Sequence, residues 1–179
     1  MRTYNLDYVL SERNLLINEL PKEPADIPPF NPIVDDTKWK VGKNRVPPRS
    51  QFSVKQTALF NTIQTLISQG IVEKSQSPHY SQILMVPKPD GTFRMCVDYR
   101  ALSDNTADAS WPIPNIAEML RRISSQKPKI FGIMDLTQGY HQAPLTFATR
   151  AYTAFITFSG VYQFTRLSFG PKQASSYFQ

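Results

Sequence analysis

The chain of 179 residues has a net charge of +6, is 41% hydrophobic and 12% aromatic, and contains a single cysteine, Cys96. That length suits one domain with a substantial core. Polar residues or prolines interrupt every apolar run, which excludes a bilayer-spanning segment, and one cysteine excludes an internal disulfide.

The charge is unevenly spread: residues 1–40 hold 5 Lys/Arg against 7 Asp/Glu, whereas residues 41–179 hold 15 against 7. The later part is therefore +8, which favours a polyanionic partner, nucleic acid first, although a solvated surface without a partner would carry the same charges. The opening MRTYNLDYVLSERN lacks the basic start, apolar stretch and small-residue cleavage site of a secretory signal, so an intracellular, non-secreted protein is expected.

Residues 1–45 are studded with proline (ELPKEPADIPPFNP) and show no sustained period, which predicts an extended arm with at most one short helix. From Ser53 onward Val54, Ala58, Leu59, Ile63, Leu66 and Ile67 recur at helical spacing, with Ser53 as the predicted N-cap and Gly70 as the stop. Two β-rich runs then flank Pro89-Asp90-Gly91, with Phe93, Met95, Val97 and Tyr99 alternating against Arg94, Cys96, Asp98 and Arg100. A two-residue Asp-Gly loop would put Lys88 and Arg94 on opposite faces, and a three-residue Pro-Asp-Gly loop on the same face. Proline suits a ladder position poorly, which favours the longer loop.

A second helix follows WPIPN, with Asn115 as cap, Glu118 completing a capping box, an apolar face of Ile116, Met119, Leu120 and Ile123, and Lys127-Pro128 as its end. Residues 130–136 (IFGIMDL) read as a buried strand that delivers Asp135. A second hairpin is expected to turn at Ser159-Gly160, and the residues after Pro171 read as helical.

Asp135 draws the chemistry. A carboxylate at the mouth of a dry strand is a good oxygen ligand for magnesium, which completes its shell with water and substrate phosphates; an Asp there can equally bond its own following turn. No Asp or Glu occurs after Asp135, so chemistry needing a second, downstream acid is incomplete, and a metal-dependent hydrolase built on Asp135 alone is disfavoured. Tyr140 could pack under a sugar or be an ordinary core tyrosine. Lys88 and Arg94 on one face could clamp a triphosphate, Arg as a planar fork and Lys as a point charge, or be two solvated strand charges. His79, His141 and Cys96 have no zinc-ligand spacing, and neither a P-loop nor a nucleophile elbow is present.

Taken in order, VPPR, GIVEKSQSPHYSQILMVPKPDGTFRMCVDYRALSDNT, WPIPNIAEML, IMDLTQGYHQ and LSFGPKQASSYFQ resemble the reverse transcriptase of Ty3/gypsy-type long-terminal-repeat retrotransposons, from about Val46 onward. The resemblance implies an α+β fold, the fingers and the first half of the palm of a right-hand polymerase, within residues 46–179. It implies that Asp135 is the first of three metal-binding aspartates, that Tyr140 lies under the incoming sugar, that Lys88 and Arg94 grip the triphosphate, and that Phe169 and Gly170 lie beside the incoming nucleotide and template base. It further implies two Mg2+ ions (or Mn2+), dNTPs, an RNA or DNA template-primer, and the rest of the palm, thumb and RNase H within a parent polyprotein in a cytoplasmic particle or the nucleus. The Tyr-x-Asp-Asp hairpin of that family is expected beyond Gln179, so the chain alone is expected to be catalytically incomplete, with an exposed sheet edge that favours association. The alternative is a non-catalytic nucleic-acid-binding remnant of a decayed element. Pro171 and Ser175 depart from the family's Phe-Gly-Leu-x-x-Ala-Pro, and Ala143-Pro144 is also unexpected there.

Overall fold

The computed structural model describes residues 20–41, 45–108, 115–132 and 135–178. Over residues 20–35 the chain runs extended across the body: Ala25 N–H donates to Gln142 O (2.7 Å), Phe30 N–H to Pro144 O (2.9 Å) and Asp35 N–H to Asn105 O (2.8 Å). These bonds replace the ladder that a proline-rich segment cannot make for itself. Helix α1 (Asp36–Trp39) follows, its N-terminus capped by the Asp35 carboxylate, which accepts from Lys38 N–H. Trp39 is buried with Tyr99 and Leu102 and meets the Tyr152 ring edge-on at 6.5 Å.

Helix α2 (Ser53–Ser68) buries Leu59 and Ile63 and leaves Val54 and Phe60 in solvent. Its N-cap is Phe52, with extended backbone and no side-chain bond, one residue before the predicted Ser53. Ser53 is instead the first helical residue, and its carbonyl accepts from the Thr57 hydroxyl. The helix stops at Gly70 as expected. Gly70 takes φ +67°, its N–H donates to Ile67 O and the Ile71 N–H reaches Leu66 O, both at 2.9 Å, the paired closure that uses up the last free carbonyls.

Strand β1 (Val72–Lys74) leads to the hairpin of β2 (Gln82–Pro87) and β3 (Phe93–Asp98). The face carrying Ile83, Met85, Phe93, Met95 and Val97 packs on the core, as period-2 alternation requires. Short helix α3 (Arg100–Asp104) follows, then α4 (Ile116–Ser125), α5 (Gly139–Gln142) and α6 (Phe147–Arg150). A 3-10 turn at Ala151–Thr153 precedes β4 (Phe155–Thr157), β5 (Gly160–Phe164) and the final helix α7 (Ala174–Phe178). The three-stranded sheet has the order β1-β5-β4, all antiparallel, and a parallel bridge from Ser81 to Phe155 sets the hairpin beside β4. Strands and helices are segregated rather than alternating, an α+β architecture. The β4–β5 loop is Phe158-Ser159, because Thr157 pairs with Gly160. The turn is thus one residue earlier than predicted, and Gly160, at φ +128°, opens β5. The core is formed by Phe30, Ile63, Ile71, Ile83, Met85, Phe155, Phe164 and Leu167.

The Asn115 side chain caps α4 by accepting from Glu118 N–H at 3.2 Å. The Glu118 carboxylate pairs with Arg121. The apolar face of α4 stays exposed, and no residue of the helix is buried. The buried strand predicted over residues 130–136 is not seen in its described part. Ile130, Phe131 and Leu136 are 83%, 73% and 60% exposed and adopt no strand geometry; Ile133 and Met134 lie outside the described residues, as do residues 109–114. An apolar run makes a strand only where a neighbour pairs with it, and no strand among the described residues does.

Candidate functional site

The hairpin settles the loop question. Lys88 N–H donates to Thr92 O at 2.8 Å and Gly91 N–H to Lys88 O at 3.1 Å, so the loop is Pro89-Asp90-Gly91, with Gly91 at φ +80°. The Asp90 carboxylate accepts from the Thr92 hydroxyl (2.6 Å) and N–H (2.9 Å), and these bonds hold its pKa below the usual carboxylate range. Val86 faces Arg94 in the register, which places Lys88 and Arg94 on one face, both exposed.

Below the hairpin lies an open cleft of about 610 Å³. Its walls include Arg94 and Cys96 of β3, Leu66 of α2, and His141, Phe169 and Gly170 from the opposite side. Gly170 sits at φ +109°, and a Cβ there would meet Tyr99 Cδ2 at 3.2 Å. Tyr99 cannot yield. Its hydroxyl donates to Thr153 O (3.2 Å) and accepts from the Ser168 hydroxyl (3.0 Å), and burial pushes its pKa far above the ordinary tyrosine value.

Helix α5 presents Tyr140 after Gln138 turns the chain through φ +47°. The Tyr140 ring lies 4.6 Å from Phe169 and stacks on Phe178 at 4.7 Å, the planes 11° apart. His141 holds the cleft wall through Nδ1, 3.0 Å from Leu167 O; burial pushes its pKa down, so it is neutral near pH 7. The structure therefore brings Arg94, Phe169 and Gly170 to one cleft and joins Tyr140 to it through Phe169. Lys88 and Asp135 do not line it. Sequence reasoning weighed His141 only as a zinc ligand and gave Tyr99 no role, although the adjacency of His141 to Tyr140 was a usable signal. Nothing local marked Tyr99.

The departures noted in the sequence have places in the structure. Pro171 O accepts from Ala174 N–H at 3.0 Å and opens the turn into α7. Ala143 is fully buried, and its carbonyl accepts from Leu167 N–H at 2.9 Å.

Asp135 is exposed, and its carboxylate is a hard oxygen donor open to solvent. That donor suits one position on a magnesium ion that otherwise keeps waters and phosphates. Among the described residues no group of three His, Cys, Asp or Glu side chains gathers to hold a metal, so Asp135 fits as a single ligand rather than as a cage.

Residues 86–179 match the family described as reverse transcriptase (RNA-dependent DNA polymerase). The chain belongs to that family. It is 32% identical over 178 residues to the retrovirus-related Pol polyprotein from transposon 412 of Drosophila melanogaster, covering 96% of this chain and 13% of the relative. It is 33% identical over 159 residues to the Pol polyprotein from transposon gypsy of the same fly, covering 84% and 15%. These relatives place the chain in the Ty3/gypsy-type branch of the reverse transcriptase family, and the chain spans only about a seventh of their length. Among solved structures, the foamy viral protease-reverse transcriptase in complex with an RNA/DNA hybrid superimposes with a TM-score of 0.73 at 22% identity, over 97% of this chain and 23% of that one, a likeness of fold. Reverse transcriptases in general use divalent metal ions.

Proposed function

We propose that the chain is the nucleotide-gripping front of an RNA-directed DNA polymerase carried in an intracellular retrotransposon polyprotein, which adds dNTPs to a primer 3′ end on an RNA or DNA template. The observation that carries this reading is the single cleft in which Arg94, Phe169 and Gly170 meet. Arg94 offers two parallel N–H bonds to phosphate oxygens, and Lys88, on the same face, adds a point charge. Phe169 gives the base a flat wall, and Gly170 turns the chain beside it, its missing Cβ leaving room for the Tyr99 ring behind the cleft. In this reading the Tyr140 ring, in contact with Phe169 at the cleft, would exclude a sugar 2′ hydroxyl. Asp135 would hold one of two magnesium or manganese ions, and a metal bound there supplies neutralisation of phosphate charge. The remaining palm, the thumb and RNase H belong to the same polyprotein in this reading.

The test is primer extension on an RNA template by the polyprotein carrying this segment. Asp135→Asn should abolish extension and Arg94→Ala should raise KM for dNTP at least tenfold, the loss of one charge-assisted phosphate bond being about 1.5–3 kcal/mol. Extension at parental rate by Asp135→Asn refutes the assignment. The +8 balance of residues 41–179 supports a second reading, a nucleic-acid binder without turnover. Template-primer binding that weakens with salt, with no extension by the parent protein, would select it.

A further inference from the structure

We infer that Ser175 is a positioning residue that sets the discrimination between deoxyribose and ribose at Tyr140; this rests on the reading of Tyr140 as the residue under the sugar. Two contacts of α7 converge on that ring. Phe178 stacks flat against it at 4.7 Å. The stack is possible because residue 139 is glycine, since a Cβ there would lie 2.6 Å from Phe178 Cζ. The Ser175 hydroxyl lies 3.3 Å from the Tyr140 hydroxyl, within hydrogen-bonding distance. The stack fixes the plane of the ring, and the hydroxyl pair fixes how far its tip can swing within that plane.

Excluding a 2′ hydroxyl is a matter of one oxygen atom. A ring free to tilt by a fraction of an ångström admits ribose, whereas a ring tied at both plane and tip does not.

Equilibrium titration of the full 179-residue chain with dUTP and with UTP, in Mg2+, isolates the 2′ hydroxyl. The parent should prefer dUTP, and Tyr140→Ala should erase that preference. Ser175→Ala should leave dUTP affinity unchanged and tighten UTP, lowering the preference about threefold to tenfold, the range of one hydrogen bond. Ser175→Thr, which keeps the hydroxyl, should restore it. A merely structural role would weaken both nucleotides together and lower the melting temperature. If the parent shows no preference, the sugar reading of Tyr140 falls and this inference with it. If Tyr140→Ala erases the preference while Ser175→Ala matches the parent, only the role of Ser175 is overturned.

Discussion

Replacing Gly170 by alanine tests how the cleft floor is built. The residue sits at φ +109°, where a side chain is strained whatever the space, at a cost of about 1–3 kcal/mol. The new Cβ would also stand 3.2 Å from Tyr99 Cδ2, a few tenths of an ångström too close. The ring cannot retreat, because its hydroxyl is held by Thr153 O and the Ser168 hydroxyl and its far side packs near Trp39 and Leu102. Adding about 1 kcal/mol for overpacking gives a loss of roughly 2–4 kcal/mol, or about 4–16 °C in Tm for a domain of this size. Urea denaturation of the parent, Gly170→Ala, Tyr99→Leu and the double variant separates the two contributions. The contact part should vanish in the Tyr99→Leu background, and the backbone part should remain. A Gly170→Ala protein within about 1 kcal/mol of the parent would refute both the strain and the clash.

Gly70→Ala offers the matching control: at φ +67° with nothing within 4 Å, it should cost only the backbone strain, about 1–2 kcal/mol by urea denaturation. Arg166 is buried, and its guanidinium donates to the carbonyls of Pro21, Lys22 and His141. Arg166→Met should lose about 2 kcal/mol and speed limited proteolysis within residues 20–30, while unchanged cleavage would show that the arm is held otherwise. Asp98 is pushed down to about 2, first by its side-chain bonds with Arg100 and further by Arg49. A depressed folded pKa means stability that is present above the ordinary carboxylate pKa and lost as pH falls from about 4 to 2. With both arginines well exposed and screened, Asp98→Asn should cost on the order of 1 kcal/mol at pH 7 and almost nothing near pH 2. A difference that persists at the lower pH would contradict the assignment.

What could be read from the sequence was whatever depends on neighbours close along the chain. The span of α2, its stop at Gly70, the three-residue hairpin loop and the Asn115 cap all follow from local chemistry, and each is in place. Their errors are single-residue shifts, at Phe52 and at Phe158-Ser159. The strand expected at residues 130–136 is absent from its described part for the opposite reason, since its formation depends on a pairing partner that no local pattern supplies. Arg94 was picked out by its place with Lys88 on one hairpin face, and Phe169 and Gly170 by resemblance. That they share one cleft, with His141 as its neutral wall, is a property of the packing.

The arm shows why proline content alone was a poor guide to what it does. Phe30 and Trp39 are buried in the two core clusters, so residues 20–41 are part of the body that positions the cleft. The connection to the site is short. Arg166 joins Pro21 and Lys22 to the carbonyl of His141, His141 adjoins Tyr140, and the Tyr177 hydroxyl of α7 donates to Pro28 O. The helix that holds Tyr140 through Ser175 and Phe178 is thus tied at Tyr177 to the same arm, where the Phe30 ring meets Tyr177 edge-on at 5.2 Å. Each α7 contact is small, and a five-residue helix is unstable alone. The orientation of the ring therefore draws on burial of Phe30, because the arm touches α7 at Tyr177 and anchors in the main core beside Ala174 of α7 itself. Phe30→Ala should cost about 3–5 kcal/mol of stability, and it should also loosen Tyr140, raising the mobility of its ring in NMR relaxation beyond that of Tyr162 in β5. Equal mobility of the two rings would show that α7 holds its place without the arm.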